Sequence, residues 1–394
     1  RNDSALIAFH TGAGDFVEHG FRLIGAHTDS PCLKLKPEPA YCKNGYGQLG
    51  VEVYGGALLR PWFDRDLSLA GRVEYLDEQG ELGSRLICFD RPVLCIPSLA
   101  IHLDREVNQG RSTNPQLEMA PVLLQLPEQK SSDGADFSLD TLLSQQLEAE
   151  HGVKASKILA HEILLYDTQP AAVVGLQQDF IAAARLDNLL SCFLGMQAMV
   201  DSDSSLPAIL VCNDHEEVGS ASSSGAKGPF LRSVLERLVD STLNPLVLDS
   251  SSGQAERLER VIQNSLMLSV DNAHGVHPNY AEKHDGRHQP QLNGGPVIKI
   301  NANQAYASNS VGIAQFKASC EAAGVPTQQF VMRSDMACGS TIGPITATEL
   351  GLTTVDVGAA TFAMHSIREL GGARDPAMML AALRAFLDRR GLSA

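Results

Sequence analysis

Glu216 and Glu217 stand side by side in Asn213-Asp214-His215-Glu216-Glu217-Val218-Gly219-Ser220, after the apolar run 207–212 and before the small-residue run 220–228. Two adjacent carboxylates at the end of a buried strand repel each other and lose hydration, so a metal or a proton-transfer role fits them better than a solvated acidic turn. The same arrangement recurs elsewhere. The apolar run 21–26 ends in His27-Thr28-Asp29-Ser30, and in His-x-Asp the second residue can hold the imidazole and fix which nitrogen faces a metal. Taken alone, that motif reads as structural. Run 266–270 ends at Asp271, and His365 follows run 353–357 closely. Asp187 and Asn188 precede the apolar stretch 189–200, where either is also suited to cap a helix.

These residues need a scaffold. Apolar runs at 21–26, 207–212, 266–270, 296–300 and 353–357 read as strands, the last being the final clear one. Segments 189–200, 229–239, 311–323 and 376–387 read as helices, two of them opening near a proline and one closed by Gly324. Strands alternating with helices predict an α/β fold, a wound mixed sheet with helices on both faces. Between residues 35 and 172 the texture changes: 51–54, 67–76 and 85–89 resemble short strands, 131–135 a polar loop, and 139–147 a short helix. This predicts a mainly β insertion at 35–172 within a discontinuous domain formed by 1–34 and 173–394.

A formal net charge of −15 over 394 residues excludes nucleic acid and anionic membrane as natural partners. No apolar run is long enough to span a bilayer, and no signal peptide opens the chain. A start at Arg1 rather than Met points to a missing N-terminal segment. The eight cysteines have no paired C-x-x-C spacing, several lie in apolar runs, and they are expected to be buried free thiols in a reducing cytoplasm.

In a wound sheet, strand ends along one edge converge. Converging His27, Asp187, Glu216, Glu217, Asp271 and His365 would suit two zinc-like ions, which accept both nitrogen and oxygen ligands. Two divalent charges would balance Asp187, Glu217, Asp271 and a bridging hydroxide, leaving Glu216 as a general base. The helical H-E-x-x-H pattern, G-x-S-x-G, the Walker loop and the dinucleotide fingerprint are all absent, and Gly286 between His284 and His288 argues against a helical metal face there.

Six segments in order resemble those of the aspartyl aminopeptidase family: His27-Thr28-Asp29-Ser30-Pro31, Arg185-Leu186-Asp187-Asn188, Asp214-His215-Glu216-Glu217-Val218-Gly219, Val276-His277-Pro278-Asn279-Tyr280, Gly295-Pro296-Val297-Ile298-Lys299 and Met364-His365-Ser366-Ile367-Arg368-Glu369. The resemblance implies a cytoplasmic co-catalytic zinc exopeptidase that hydrolyses peptides with a free N-terminus, preferably beginning with Asp or Glu. It implies two divalent ions per subunit, Zn²⁺ first with Co²⁺ and Mn²⁺ as alternatives. It further implies a tetrahedral homododecamer built from dimers, with the insertion as dimerisation domain. By position, Asp187 bridges both ions, His27 and Asp271 complete one site, and Glu217 and His365 the other. Glu216 is the base and Asp29 the partner of His27.

Two residues carry open alternatives. His102 lies among apolar neighbours in 98–105, where local sequence favours a core histidine; the resemblance makes it a residue that reaches a neighbouring subunit's active site, at once catalytic and substrate-binding. Lys299 is either a surface lysine or the cation that pairs an acidic first residue of the substrate. A dinuclear amidase, a carboxypeptidase or a neutral-residue aminopeptidase would use the same platform, and an assembly protein that binds metal without turnover is a further alternative. Glu216 argues against the last, because a structural site has no use for a spare base.

Overall fold

The computed structural model describes residues 1–13, 16–126, 137–203, 205–241 and 253–389. The chain begins with β1 (Leu6–His10), α1 (Phe16–His19) and β2 (Arg22–His27). It continues through β3 (Cys32–Lys43), β4 (Tyr46–Tyr54), β5 (Leu67–Asp77), β6 (Leu82–Cys88), α2 (Pro115–Glu118), β7 (Val122–Gln125), α3 (Leu139–His151) and β8 (Ala155–Asp167). Then come β9 (Ala172–Val174), β10 (Phe180–Ala183), α4 (Leu186–Asp201), β11 (Ala208–Asn213), α5 (Phe230–Ser241), α6 (Gln254–Gln263), β12 (Leu266–Val270), β13 (Ala273–His274) and β14 (Val297–Ile300). The last elements are α7 (Ser310–Ala322), β15 (Gln328–Val331), α8 (Ile342–Leu350), β16 (Thr353–Gly358), β17 (Ala360–Phe362), β18 (Glu369–Gly372) and α9 (Asp375–Asp388). They group into two compact units, one of residues 1–30, 171–364 and 369–394, the other of 31–170 and 365–368.

The first unit is built on a seven-stranded sheet in the order β1-β11-β2-β12-β16-β14-β15. β11, β2, β12 and β16 are parallel, β1 runs against β11, and β14 runs against β16 but parallel to β15, so the sheet is mixed. A strand covered on both faces reads as a continuous apolar run, and β2, β11 and β12 are buried from end to end. Alternate residues serve opposite faces. Ile24, Ala26, Leu210 and Leu268 pack with α4, α7 and α9, whereas Leu23, Ile209, Val211 and Met267 pack with α1, α5, α6 and α8. Helices thus cover both faces. A smaller sheet, β13-β17-β18-β10-β9, lies in the same unit. Its β17 and β18 follow residue 357, so Thr353–Gly358 is not the last strand. With three and four residues they are too short to carry a readable alternation.

The second unit is a six-stranded antiparallel sheet, β6-β5-β8-β3-β4-β7. Its strands are longer than the short ones expected, with β3 and β8 reaching 12 and 13 residues. β8 escapes sequence reading because polar residues interrupt its pattern, and its pairing with β5 and β3 is long-range. α3 is capped by Ser138, whose hydroxyl accepts the Thr141 N–H, and stops at Gly152 with φ 66°. Leu139, Leu143 and Leu147 of α3 enter the sheet's core. The loop expected at 131–135 lies outside the described residues. All eight cysteines are free, but only Cys212 and Cys320 are buried and Cys42 is exposed, so the expectation of buried thiols holds for a minority. Among the described residues no helix is long and apolar enough to cross a membrane.

Candidate metal centre

β11, β2 and β12 lie side by side and parallel, so their carboxyl ends share one edge of the sheet. His27 ends β2, Glu216 and Glu217 follow β11, and Asp271 follows β12. Asp187 joins them from the start of α4. Asp187 and Asn188 form a kink at the start of α4, with non-helical dihedrals and a cis Asp187–Asn188 peptide, and Asn188 Oδ1 accepts no N–H of the helix, so Asn188 is not its cap. The turn is held by side chains instead. Asn188 Nδ2 donates to the Val270 carbonyl at 2.8 Å, and Ser30 Oγ donates to the Asp187 carbonyl at 2.6 Å. The Asp187 N–H donates to Glu369 Oε2 at 2.8 Å, a role for Glu369 that sequence reading missed although it closes the last quoted motif.

His27 Nε2 lies 3.4 Å from Asp187 Oδ1, 3.5 Å from Asp271 Oδ1 and 4.0 Å from Glu216 Oε2. One donor atom each from His27, Asp187 and Glu217 falls within 4.8 Å of the others. Asp271 Oδ1 is buried without a hydrogen-bond partner. An imidazole nitrogen and several carboxylate oxygens converging in a buried place, one of them unsatisfied, is the donor set of a borderline divalent cation. Burial alone would lower the His27 pKa. The carboxylates of Asp187, Asp271 and Asp29 outweigh it and hold the imidazole well above its ordinary value. A bound cation takes the place of that proton.

Gly358 lets β16 approach this edge, since a Cβ there would sit 1.8 Å from the Asp271 carbonyl oxygen. Asp29 plays a larger part than expected. Its backbone carbonyl, at 3.0 Å, lies nearer His27 Nδ1 than its carboxylate does at 3.5 Å. A proton on Nδ1 turns the Nε2 lone pair toward the carboxylates. The Asp29 carboxylate is engaged elsewhere: Oδ1 accepts the Glu216 N–H at 3.0 Å and Oδ2 the Glu217 N–H at 3.1 Å. One fork therefore grips the backbone of both glutamates. The Glu216 side chain is 15% exposed. Burial first, and then the negative charge of Asp271, push its carboxyl up to about 7.

Lys299 is 2% exposed, which excludes the surface-lysine alternative. Its Nζ donates to Asp271 Oδ2 and to the Asn272 carbonyl, both at 3.1 Å, and sits 5.2 Å from the Tyr306 ring centroid. His102 is exposed in a turn of the second unit, between Ile101 at 48% and Leu103 at 75%, so it is not a core histidine. His365 also belongs to the second unit, with Nδ1 3.2 Å from the Gly56 carbonyl oxygen. The first unit thus brings together His27, Asp29, Asp187, Glu216, Glu217, Asp271 and Lys299.

Residues 1–387 match the family model described as aminopeptidase I zinc metalloprotease (M18). The chain belongs to the M18 family of zinc aminopeptidases. It is 56% identical over 386 residues to a probable M18 family aminopeptidase 2 of Stutzerimonas stutzeri, covering 98% of this chain and 86% of that one. A protein of the same description from Pseudomonas aeruginosa is 55% identical, with the same coverage. Among solved structures, the cryo-EM structure of the Ape4 and Nbr1 complex superposes with a TM-score of 0.90 at 38% identity, covering 98% of this chain and 75% of that chain. The S. cerevisiae mApe1 dodecamer gives 0.81 at 30% identity, covering 98% and 83%. As an M18 member the chain is a hydrolase, a metal-dependent aminopeptidase.

Proposed function

We infer that this aminopeptidase removes N-terminal Asp or Glu from peptides with the help of two divalent ions per subunit, Zn²⁺ ahead of Co²⁺ and Mn²⁺. The observation that carries the acidic preference is Lys299: an ammonium only 2% exposed whose Nζ makes two hydrogen bonds. An ammonium has three protons, so one remains for the side-chain carboxylate of the substrate. In a chain of net charge −15 a local cation is what turns repulsion of acidic peptides into attraction.

His27, Asp187 and Asp271 would hold one ion, and Asp187 with Glu217 the other; His365 is added to the second on motif resemblance alone. The ions supply Lewis acidity and lower the pKa of water at the site. Glu216 takes a proton from the attacking water, whose oxygen bonds to the scissile carbonyl carbon. As the C–N bond breaks, Glu216 returns that proton to the leaving amine. Its pKa near 7 without cations, and lower with them, suits a group that must both accept and release a proton. The Asp29 fork keeps base and ligand in fixed register. We further read the chain as a cytoplasmic homo-oligomer, a tetrahedral dodecamer of dimers in which His102 completes a neighbour's site. The mApe1 dodecamer among the related structures supports this reading.

The test is hydrolysis of Asp, Glu, Ala and Leu anilides, with and without chelator. Acidic substrates should be preferred, activity should vanish on chelation and return with Zn²⁺, and Lys299→Met should cost Asp and Glu far more than Ala and Leu. A wild-type preference for Leu refutes the acidic reading.

A further inference from the structure

Lys299 has a second carboxylate beside it. In the antiparallel pairing of β14 with β16, Val297 faces Gly358 and Ile298 faces Val357, so the next pair in register is Lys299 and Asp356. Directly opposed residues project from the same face of a sheet. Asp356 is 0% exposed, and a buried charge needs compensation. Burial pushes its carboxyl up, while the positive charge of Lys299 is the foremost influence pulling it back. Lys299 therefore has Asp271 hydrogen-bonded to its Nζ and Asp356 at the opposed position of the neighbouring strand.

The Asp356 carboxylate also holds a loop. Oδ2 accepts the Ala307 N–H at 2.6 Å, and Oδ1 accepts the Thr341 hydroxyl. Ser308 Oγ accepts the Asp356 N–H at 2.9 Å, tying the loop to β16 a second time. The residue before Ala307 is Tyr306, 3% exposed, whose ring lies against the Lys299 ammonium. Gly343 makes room for this arrangement, since a Cβ there would come within 2.3 Å of Asp356 Oδ1.

We propose that Asp356 is a positioning residue for substrate selectivity, fixing the Tyr306 loop and balancing Lys299 so that the ammonium stays directed at an acidic first residue of the substrate. The proposal rests on the reading of Lys299 given above. The Asp356 carboxylate is hydrogen-bonded to Ala307 and Thr341 rather than to His27, Asp187, Glu217 or Asp271, so its loss should leave turnover of neutral substrates intact.

Asp356→Asn keeps the shape and removes the charge. Kinetics on Asp, Glu, Ala and Leu anilides should show KM for the acidic pair raised about ten- to a hundredfold, the range for losing hydrogen bonds to a charged group. kcat on all four, the kcat/KM for Ala and Leu, and zinc content should change less than about twofold. Ser308→Ala, which keeps the charge and loosens only the loop, should shift the acidic KM in the same direction by less, and serves where Asp356→Asn does not fold. Equal losses on all four substrates, or no loss in either variant, overturn the proposal. Lys299→Met measured in parallel separates the two readings. If it abolishes acidic selectivity while Asp356→Asn and Ser308→Ala do not, only the role of Asp356 falls. If the wild type shows no acidic preference, both fall.

Discussion

His27 and His102 show how differently the two units use the same side chain. His27 is 1% exposed at the end of a central strand, its Nδ1 bonded to the Asp29 carbonyl and its Nε2 facing carboxylates on two sides. Its chemistry is determined inside its own unit. His102 is exposed on a turn beside Leu99 at 58% and Leu103 at 75%, next to a groove of about 600 Å³ lined by residues such as Tyr41, Phe63 and Leu103. Apolar residues presented to solvent in a contiguous patch mark a surface that another surface covers. Packing within one unit orients His27 toward the carboxylates around it, whereas the exposure of His102 names no partner by itself.

The largest expected effect lies at the first unit's centre. Glu216→Gln should keep fold and metal content yet lose about 10²–10⁴-fold in rate, the usual contribution of general acid–base catalysis. Near-normal turnover with full metal removes Glu216 as base. Glu217→Gln should instead lower metal content, which separates the two neighbours. The pH profile sharpens this: the base must be deprotonated, so kcat/KM should fall as acid is added. The midpoint should lie between the ordinary carboxylate value of 4.5 and about 7, since burial raises it and cations lower it. An acid limb above pH 8 contradicts the assignment.

Next is the second unit. If His102 donates a hydrogen bond to the oxyanion in a neighbouring site, His102→Phe should cost about 2.7–4 kcal/mol of transition-state stabilisation while assembly persists. Mixing His102→Phe with Glu216→Gln subunits should restore activity, because some sites then pair an intact base with an intact histidine. Exchange of subunits without recovery, or a fully active monomer, breaks the comparison between the two histidines.

The smallest effect concerns the fork. Asn at position 29 presents one acceptor and one donor to two N–H groups, so Asp29→Asn should weaken metal affinity about 10–100-fold, as loss of an outer partner does. Chelator competition measures it, and unchanged affinity would restrict Asp29 to a local contact with His27.

Much of this was legible beforehand, for a reason visible in particular elements. β2, β11 and β12 are buried on both faces, so their sequences are apolar throughout and their ends conspicuous; the ligand-type residues stand at those ends. β8 was not legible because its partners are distant in the chain and its pattern is broken, and β18 because its four residues are too few to show a pattern and its partner β10 is distant. The role of Glu369 went unseen for the same reason: a carboxylate 182 residues from the N–H it accepts leaves no local trace.

Residue types and their spacing set the chemistry available: which residues can ligate, which can carry a proton, and that strand ends in a wound sheet gather them. How those residues are held depends on the fold. Asp29 grips two backbone N–H groups rather than chiefly the imidazole, Lys299 is buried against Asp271, and Asp356 stands opposite it in register on the adjacent strand. The physical reason is that residue type limits what a group can do, whereas its charge state and direction follow from neighbours that burial and strand register bring within hydrogen-bond range.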